Sequence, residues 1–293
     1  MTLAAILAGT RPAVGRQSLG ADRALAAEVQ VALRRVGLLD GAPDGRFGPV
    51  SNWALDAFLS RLGLAEKGIT AKVAHALATS EPWPLRPGKD LAGRVVRAML
   101  ARGHEFCRHP GCVNIAYVEG MDPDGRLNGN PPDRFNDLRM AIACDADGVP
   151  RATAWDGTTE PGRYYVENPM VPEGAARIAF GQYKSWGVGT HPDGKGGGHE
   201  ALVQVDAITV FRDLDRDFRR AGDKAFTGLF GVNQHWGYDL PPGEVRNASA
   251  GCLVGRTRKG HMQFMAMVKA DARFLASRSY RFQTAVLDGK LVA

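Results

Sequence analysis

The residues best placed to do chemistry lie in two short segments. Gly231-Val-Asn-Gln-His235-Trp236-Gly237 is followed by Ser249-Ala250-Gly251-Cys252. A thiol becomes a nucleophile when a base takes its proton or lowers its pKa, and acyl chemistry also needs backbone N–H groups aimed at the developing oxyanion. Gly251, directly before Cys252, lets the backbone approach a carbonyl closely. An apolar strand predicted over Leu229–Asn233 would carry His235 at a sheet rim, and the loop that follows is long enough to return Cys252 to it. These residues alone leave two readings open: a Cys/His reacting pair, or a cysteine packed as a small hydrophobe.

The remaining clusters are weaker. His104, Cys107, His109 and Cys112 lie close together, but their spacing is not that of a standard zinc site. No metal is expected there, and Cys107 and Cys112 read as free thiols or a disulfide. Asp213, Asp215 and Asp217 imitate the start of a calcium loop without its glycine and distal glutamate, which suits a solvated acidic turn. His191 and His199 flank the glycine run Gly194–Gly198. That run lacks the helix start of a phosphate loop and reads as a mobile loop near a cleft, with His199 able to orient a substrate. His75 and His261 fall on predicted helices as structural or surface residues. Tyr117, Glu119, Asp137 and Arg139 flank strand ends and read as a structural brace.

The elements that must position these groups follow from periodicity. Val29, Leu33 and Val36 recur at helical spacing. Leu55, Phe58, Leu59 and Leu62 mark a second helix, and Val73 and Leu77 a third, capped by Thr70. Residues 1–20 show no strong period and are expected to be a loose leader. Residues 79–89 hold three prolines and read as a linker. A helix is predicted over 90–102. Short strands are then expected at 113–118, 139–144, 151–155, 177–180, 201–205, 207–211 and 229–233. A helix is expected over 261–276, and a final strand pair, 280–287 and 291–292, joined at Asp288-Gly289. The fold class is α+β in two domains: a three-helix bundle at 21–79, a linker at 80–89, and a β-rich domain with flanking helices at 90–293.

A strand ending in His-x-Gly, followed by Ser-x-Gly-Cys, resembles the L,D-transpeptidase (YkuD-like) catalytic domain in a phage or prophage variant. Thr159-Glu160-Pro161-Gly162, Ala201–Phe211 and Leu229–Gly237 extend the likeness over residues 155–268. The resemblance implies a β-sandwich for the β-rich domain and an acyl-enzyme on peptidoglycan stem peptides, with Cys252 as nucleophile and His235 as general base. Ser249, Gly251 and the Cys252 N–H would shape the oxyanion pocket, with Gly237, Trp236 and His199 near the substrate. The chain departs from the family at Ala250, where a second histidine is usual, and at Arg256, one place late. These departures bear more on transpeptidation than on cysteine acyl chemistry. Val29-Gln30, Leu33 and Asp44-Gly45-Arg46-Phe47-Gly48-Pro49 resemble the three-helix peptidoglycan-binding domain. There Asp44, Gly45, Phe47 and Gly48 build the turn.

Composition sets outer limits. The 293 residues include 37 Lys and Arg against 31 Asp and Glu, a net charge of +6. This modest excess suits an anionic wall. No zinc-finger, RNP-type or basic-helix pattern points to nucleic acid. No apolar run is long enough to span a membrane. The apolar stretch Leu3–Ala8 is short and has no basic residue before it, so no classical signal peptide is expected and release by lysis or special secretion is implied. The expected function is a peptidoglycan-acting cysteine peptidase or L,D-transpeptidase without a cofactor, working in the bacterial cell wall or periplasm. The alternative is a non-catalytic wall-binding or virion-structural protein.

Overall fold

A computed structural model of the chain describes residues 2–192 and 196–293. The N-terminal unit comprises α1 (Leu3–Leu7), β1 (Val14–Gly15), α2 (Arg16–Ala21), α3 (Arg23–Arg35), α4 (Pro49–Arg61), β2 (Gly68–Ile69) and α5 (Ala71–Thr79). Local chemistry sets the boundaries of the predicted helices. The Asp22 carboxylate accepts the Leu25 N–H to cap α3, Pro49 opens α4, and the Thr70 hydroxyl caps α5. Leu25, Val29, Leu33, Leu55, Phe58 and Leu77 form one buried cluster.

Those three helices do not close a bundle by themselves. Residues 1–20, expected to be loose, instead supply α1, α2 and one strand of the β1–β2 ribbon. Ile6 and Leu19 are fully buried in the same core, and Leu3 N–H donates to the Glu28 carboxylate at 2.6 Å. Each of these helices is shorter than two turns, too short to show an amphipathic period.

Residues 80–88 have no regular secondary structure but are bonded on both sides. Trp83 joins the helical core and its N–H donates to Val36 O, while Arg86 N–H donates to Gly148 O. Asp40, just beyond α3, is buried against the second unit. It accepts from Lys184 Nζ at 2.7 Å, Arg273 Nη1 at 3.2 Å and Tyr280 Oη at 2.6 Å. The two cations and the phenol outweigh the cost of burying the carboxylate and hold its pKa below the usual range.

The second unit runs α6 (Leu91–Ala101), β3 (Asn114–Glu119), β4 (Asp137–Cys144), β5 (Pro150–Thr158), α7 (Arg163–Glu167), β6 (Ala175–Ile178), β7 (Gly181–Pro192), β8 (Gly198–Gln204), β9 (Ile208–Asp213), β10 (Lys224–Gly228), β11 (Gln234–Trp236), β12 (Leu253–Gly255), α8 (Arg258–Ala270), α9 (Ala272–Ala276) and β13 (Phe282–Asp288). The expected sandwich is instead a closed barrel in the order β11-β12-β5-β4-β3-β13-β7-β8, with a three-stranded sheet β10-β9-β6 beside it. Residues of β3, β4 and β13 are buried on both faces. One face packs with Phe264 and Val268 of α8, and the other with Val95, Val96 and Met99 of α6.

The C-terminal strand pair does not form. Strand β13 already pairs with β3 on one edge and β7 on the other, so a returning strand has no edge to join. A 3₁₀ turn at Gly289–Leu291 follows, capped by Asp288. Strand β7 escapes the sequence reading because Gly181, Gly187 and Gly189 dilute its apolar pattern. Its His191 pairs with His199 and its Pro192 with Gly198 of β8, so the last glycine of the run expected as a mobile loop belongs to a strand. Gly194 and Lys195, with Asp193, lie outside the described residues.

Candidate active site

Strands β11 and β12 run parallel, in the register Gln234↔Leu253, His235↔Val254 and Trp236↔Gly255. Cys252 enters β12 beside Asn233, two residues before His235. Its sulfur accepts the Asn233 N–H at 3.4 Å and lies 3.7 Å from Gly231 O. Residues 229–233, predicted as the strand that delivers His235, are irregular; the strand starts at Gln234. Gly251 has φ +124°, and a Cβ there would overlap Ala176 O, so glycine is required at this point. Ser249 Oγ donates to Cys252 O at 3.0 Å and accepts the Gly251 N–H at 3.1 Å. That N–H is therefore committed to Ser249, and Ser249 braces the loop. The Cys252 N–H has no acceptor among the described residues.

The fold thus brings Cys252 and His235 to neighbouring strands, but no hydrogen bond joins sulfur and imidazole among the described residues. Cys252 is 8% exposed, and burial pushes its thiol up to about 11, opposed by the Asn233 N–H. His235 is 1% exposed, and burial together with the neighbouring imidazole of His191 holds it well below the ordinary histidine range. Its Nδ1 lies 2.9 Å from Trp236 O. A carbonyl only accepts, so Nδ1 carries the proton and Nε2 is the basic nitrogen. Both partners are neutral in the resting site.

His235 lies in a cluster of imidazoles that the sequence did not reveal as one. His191 of β7 stacks on it at 3.9 Å and 8° between planes. His199 of β8 lies 5.9 Å from His235, 5.8 Å from His261 of α8 and 5.6 Å from Trp236. His261, expected as a structural or surface residue, is buried. Its Nε2 is 2.8 Å from Glu200 O and its Nδ1 3.2 Å from Arg139 Nη1, and burial with the nearby arginine lowers its pKa to about 3. His199, expected near the substrate together with Trp236, thus lies close to both Trp236 and the candidate base. At Gly237 a Cβ would strike the Phe135 ring, and its N–H donates to Gly255 O. Asn233 and His191 are the site residues that sequence reasoning missed. Only the Asn-x-His spacing hinted at the first, because residues two apart on an extended chain share a face.

A second buried network, of carboxylates, lies behind the Cys252 loop. Glu119 accepts from Arg220 at 2.7 and 2.5 Å and from Arg177 at 2.8 Å. Arg177 also pairs with Glu160. The Thr159 hydroxyl sits between Glu119 and Asp137, and Asp137 accepts the N–H groups of Gly120 and Thr159. Burial and the other two carboxylates push Asp137 well above its ordinary range, and burial first of all raises Glu160 to about 7. Gly162 N–H reaches Ser249 O at 2.8 Å, and Ala176, whose carbonyl abuts Gly251, precedes Arg177. The expected brace therefore divides. Glu119 and Asp137 belong to this network, while Arg139 contacts His261 and Tyr117 Oη donates to Leu253 O.

The other candidates separate. Cys107, Cys112 and Cys144 are buried free thiols. His109 packs between Trp53 and Trp83. Among the described residues, one group brings three metal-capable ligands together, Asp213, Asp215 and Asp217. Asp213 there accepts the N–H groups of Asp217 and Phe218 in a tight turn. His75 is exposed. In the N-terminal unit, the Asp44 carboxylate accepts the Arg46 N–H and the Gln30 amide. Gly45 turns at φ +69°, Phe47 plugs the core and Gly48 caps α4. This turn rims a groove of about 570 Å³ whose far wall includes Lys184, Asp206 and Arg281.

No known family and no curated protein matches the chain. Two solved structures share some similarity. One is a fused Zn-dependent amidase/peptidase/peptidoglycan-binding domain-containing protein from Clostridium acetobutylicum, 13% identical, covering 94% of this chain and 100% of that one, with a TM-score of 0.31. The other is an L,D-transpeptidase (residues 123–326) from Xylanimonas cellulosilytica, 14% identical, covering 89% of this chain and 92% of that one, with a TM-score of 0.21. At such scores neither likeness carries an argument about this chain.

Proposed function

We propose that this protein is a peptidoglycan-acting cysteine acyl-transfer enzyme. The observation that supports it most is the parallel β11–β12 register, which sets Cys252, at the entry to β12, beside the strand of His235, with a Cys252 N–H that has no acceptor among the described residues. As Cys252 Sγ attacks the carbonyl of a stem-peptide bond, the thiol proton passes to His235 Nε2. Because the thiol rests neutral, transfer accompanies attack. The oxyanion takes the Cys252 N–H. Collapse expels the amine, which receives the proton from His235, and leaves a Cys252 thioester. Water then gives hydrolysis, or a second amine gives transfer. The turn at Asp44, Gly45, Phe47 and Gly48 serves the N-terminal unit as a wall-binding module, and the protein acts in the cell wall or periplasm.

A second reading, a wall-binding or virion-structural protein with an inert cysteine, draws support from the burial and raised pKa of Cys252. Incubation with purified sacculi and muropeptide analysis separates the two. The enzyme releases trimmed stem peptides or makes new crosslinks, and Cys252→Ala abolishes the change, a loss of at least about 100-fold. Products unchanged by Cys252→Ala would remove the cysteine from the chemistry. A wall-bound protein that makes no product would favour the second reading.

A further inference from the structure

The imidazole stacked on His235 is not a passive neighbour. Two imidazoles in face-to-face contact cannot both carry charge without a large like-charge cost, so the protonation state of His191 governs what His235 can do. Asn233 sets that state. Its Oδ1 accepts the Gln204 backbone N–H at 2.9 Å, which identifies the amide NH₂ as the group 3.0 Å from His191 Nδ1. An NH₂ only donates, so Nδ1 accepts and the single proton of His191 sits on Nε2. The same residue's backbone N–H donates to Cys252 Sγ.

We infer that Asn233 and His191 are positioning residues for His235. Asn233 holds His191 as the neutral Nε2–H tautomer, and that uncharged ring lets His235 alone receive the Cys252 proton. The inference rests on the Cys252–His235 reading above. Among the described residues, the other titratable groups around His235 are His199 from β8, Tyr238 after β11 and His261 from α8, whose Nδ1 meets Arg139. His261 is likewise fixed as a neutral tautomer, between Glu200 O and Arg139.

The test is Asn233→Asp in the full chain. A carboxylate still accepts the Gln204 N–H, but its second oxygen now faces His191 Nδ1 and draws a proton onto it. Two readouts apply at pH 7: ¹⁵N shifts of the imidazoles, and iodoacetamide alkylation of Cys252 followed by peptide mass spectrometry. The native protein should show His191 neutral with Nδ1 unprotonated. Asn233→Asp should show an imidazolium and alkylate Cys252 about tenfold more slowly or worse, the equivalent of one pK unit or more on the base. Adding His191→Phe to Asn233→Asp restores an uncharged flat ring and should recover the rate. A native His191 protonated at Nδ1, or a loss that persists in the double variant while His235→Ala still slows the native reaction, overturns the inference. If His235→Ala leaves native alkylation unchanged, the Cys252–His235 pairing itself fails, and with it the role assigned to His191.

Discussion

Two buried groups of ionisable side chains flank the Cys252 loop, and they handle burial in opposite ways. Glu119 and Glu160 are answered by two arginines, Arg177 and Arg220, while Asp137 accepts the N–H groups of Gly120 and Thr159 and is pushed toward its neutral form. His191, His235 and His261 are answered by neutrality: each has a fixed partner that settles its tautomer and a pKa pushed down. A carboxylate at neutral pH must be paired or protonated, whereas an imidazole can be uncharged at small cost. The first arrangement is rigid and suits the support of a loop. The second keeps His235 a neutral imidazole with an unprotonated Nε2.

The largest test of this contrast is Arg177→Leu. It removes the cation shared by Glu119 and Glu160 and should cost about 3–5 kcal/mol, read from urea unfolding at pH 7. A cost below about 1 kcal/mol would show that the carboxylates do not depend on it.

Next comes the pH dependence of stability, where the two groups have opposite signs. His235 and His261 have folded pKa values below the unfolded value of about 6.5, so the unfolded chain binds more protons as pH falls. Stability is lost below about 6.5, by about 1.4 kcal/mol per pH unit for each proton. Glu160, raised to about 7, holds a proton in the folded chain that the unfolded chain has released above about 4.5. Its contribution therefore falls as pH rises from about 4.5 to about 7. Glu160→Gln should flatten that window and leave the low-pH loss that comes from the histidines. Urea midpoints from about pH 4 to 8 for the two proteins would show it, and identical profiles would refute the assignment.

Gly251→Ala should cost about 1–3 kcal/mol, since alanine is strained at this φ and meets Ala176 O. It should also displace the sulfur from the Asn233 N–H, changing the alkylation rate of Cys252. The smallest effect is expected of Ser249→Ala, about 1 kcal/mol for a lost loop brace, with the tautomers of the histidine cluster unchanged by ¹⁵N NMR. A large change in those shifts would mean that the loop and the cluster are one unit.

Much of the architecture was legible from local signals. The helices α3, α4, α5 and α6 announce themselves by apolar period, with Pro49 opening α4 and Thr70 capping α5, and β3, β4 and β5 by apolar runs. The short helices α1 and α2, the glycine-diluted β7 and the three-residue β12 carry too little local pattern, and exist because neighbours complete their hydrogen bonds. Cys252 and His235 stood out by residue type and by Gly251. Asn233 and His191 did not, because their meaning depends on the pairing of β7 with β8 and of β8 with β11.

The sequence by itself determined the longer helices and the strands β3, β4 and β5, where glycine must stand before the cysteine, and which cysteine and histidine are candidates for chemistry. These are properties of neighbouring residues, set by dihedral preference, capping and periodicity. Tertiary structure alone decided that the strands close into a barrel, that Asp40 is buried between the two units, and that histidines from β7, β8, β11 and α8 share one site. Protonation states belong to this second class as well. A pKa or a tautomer is fixed by burial and by the donor or acceptor opposite each atom, and here those partners come from segments far apart in the chain.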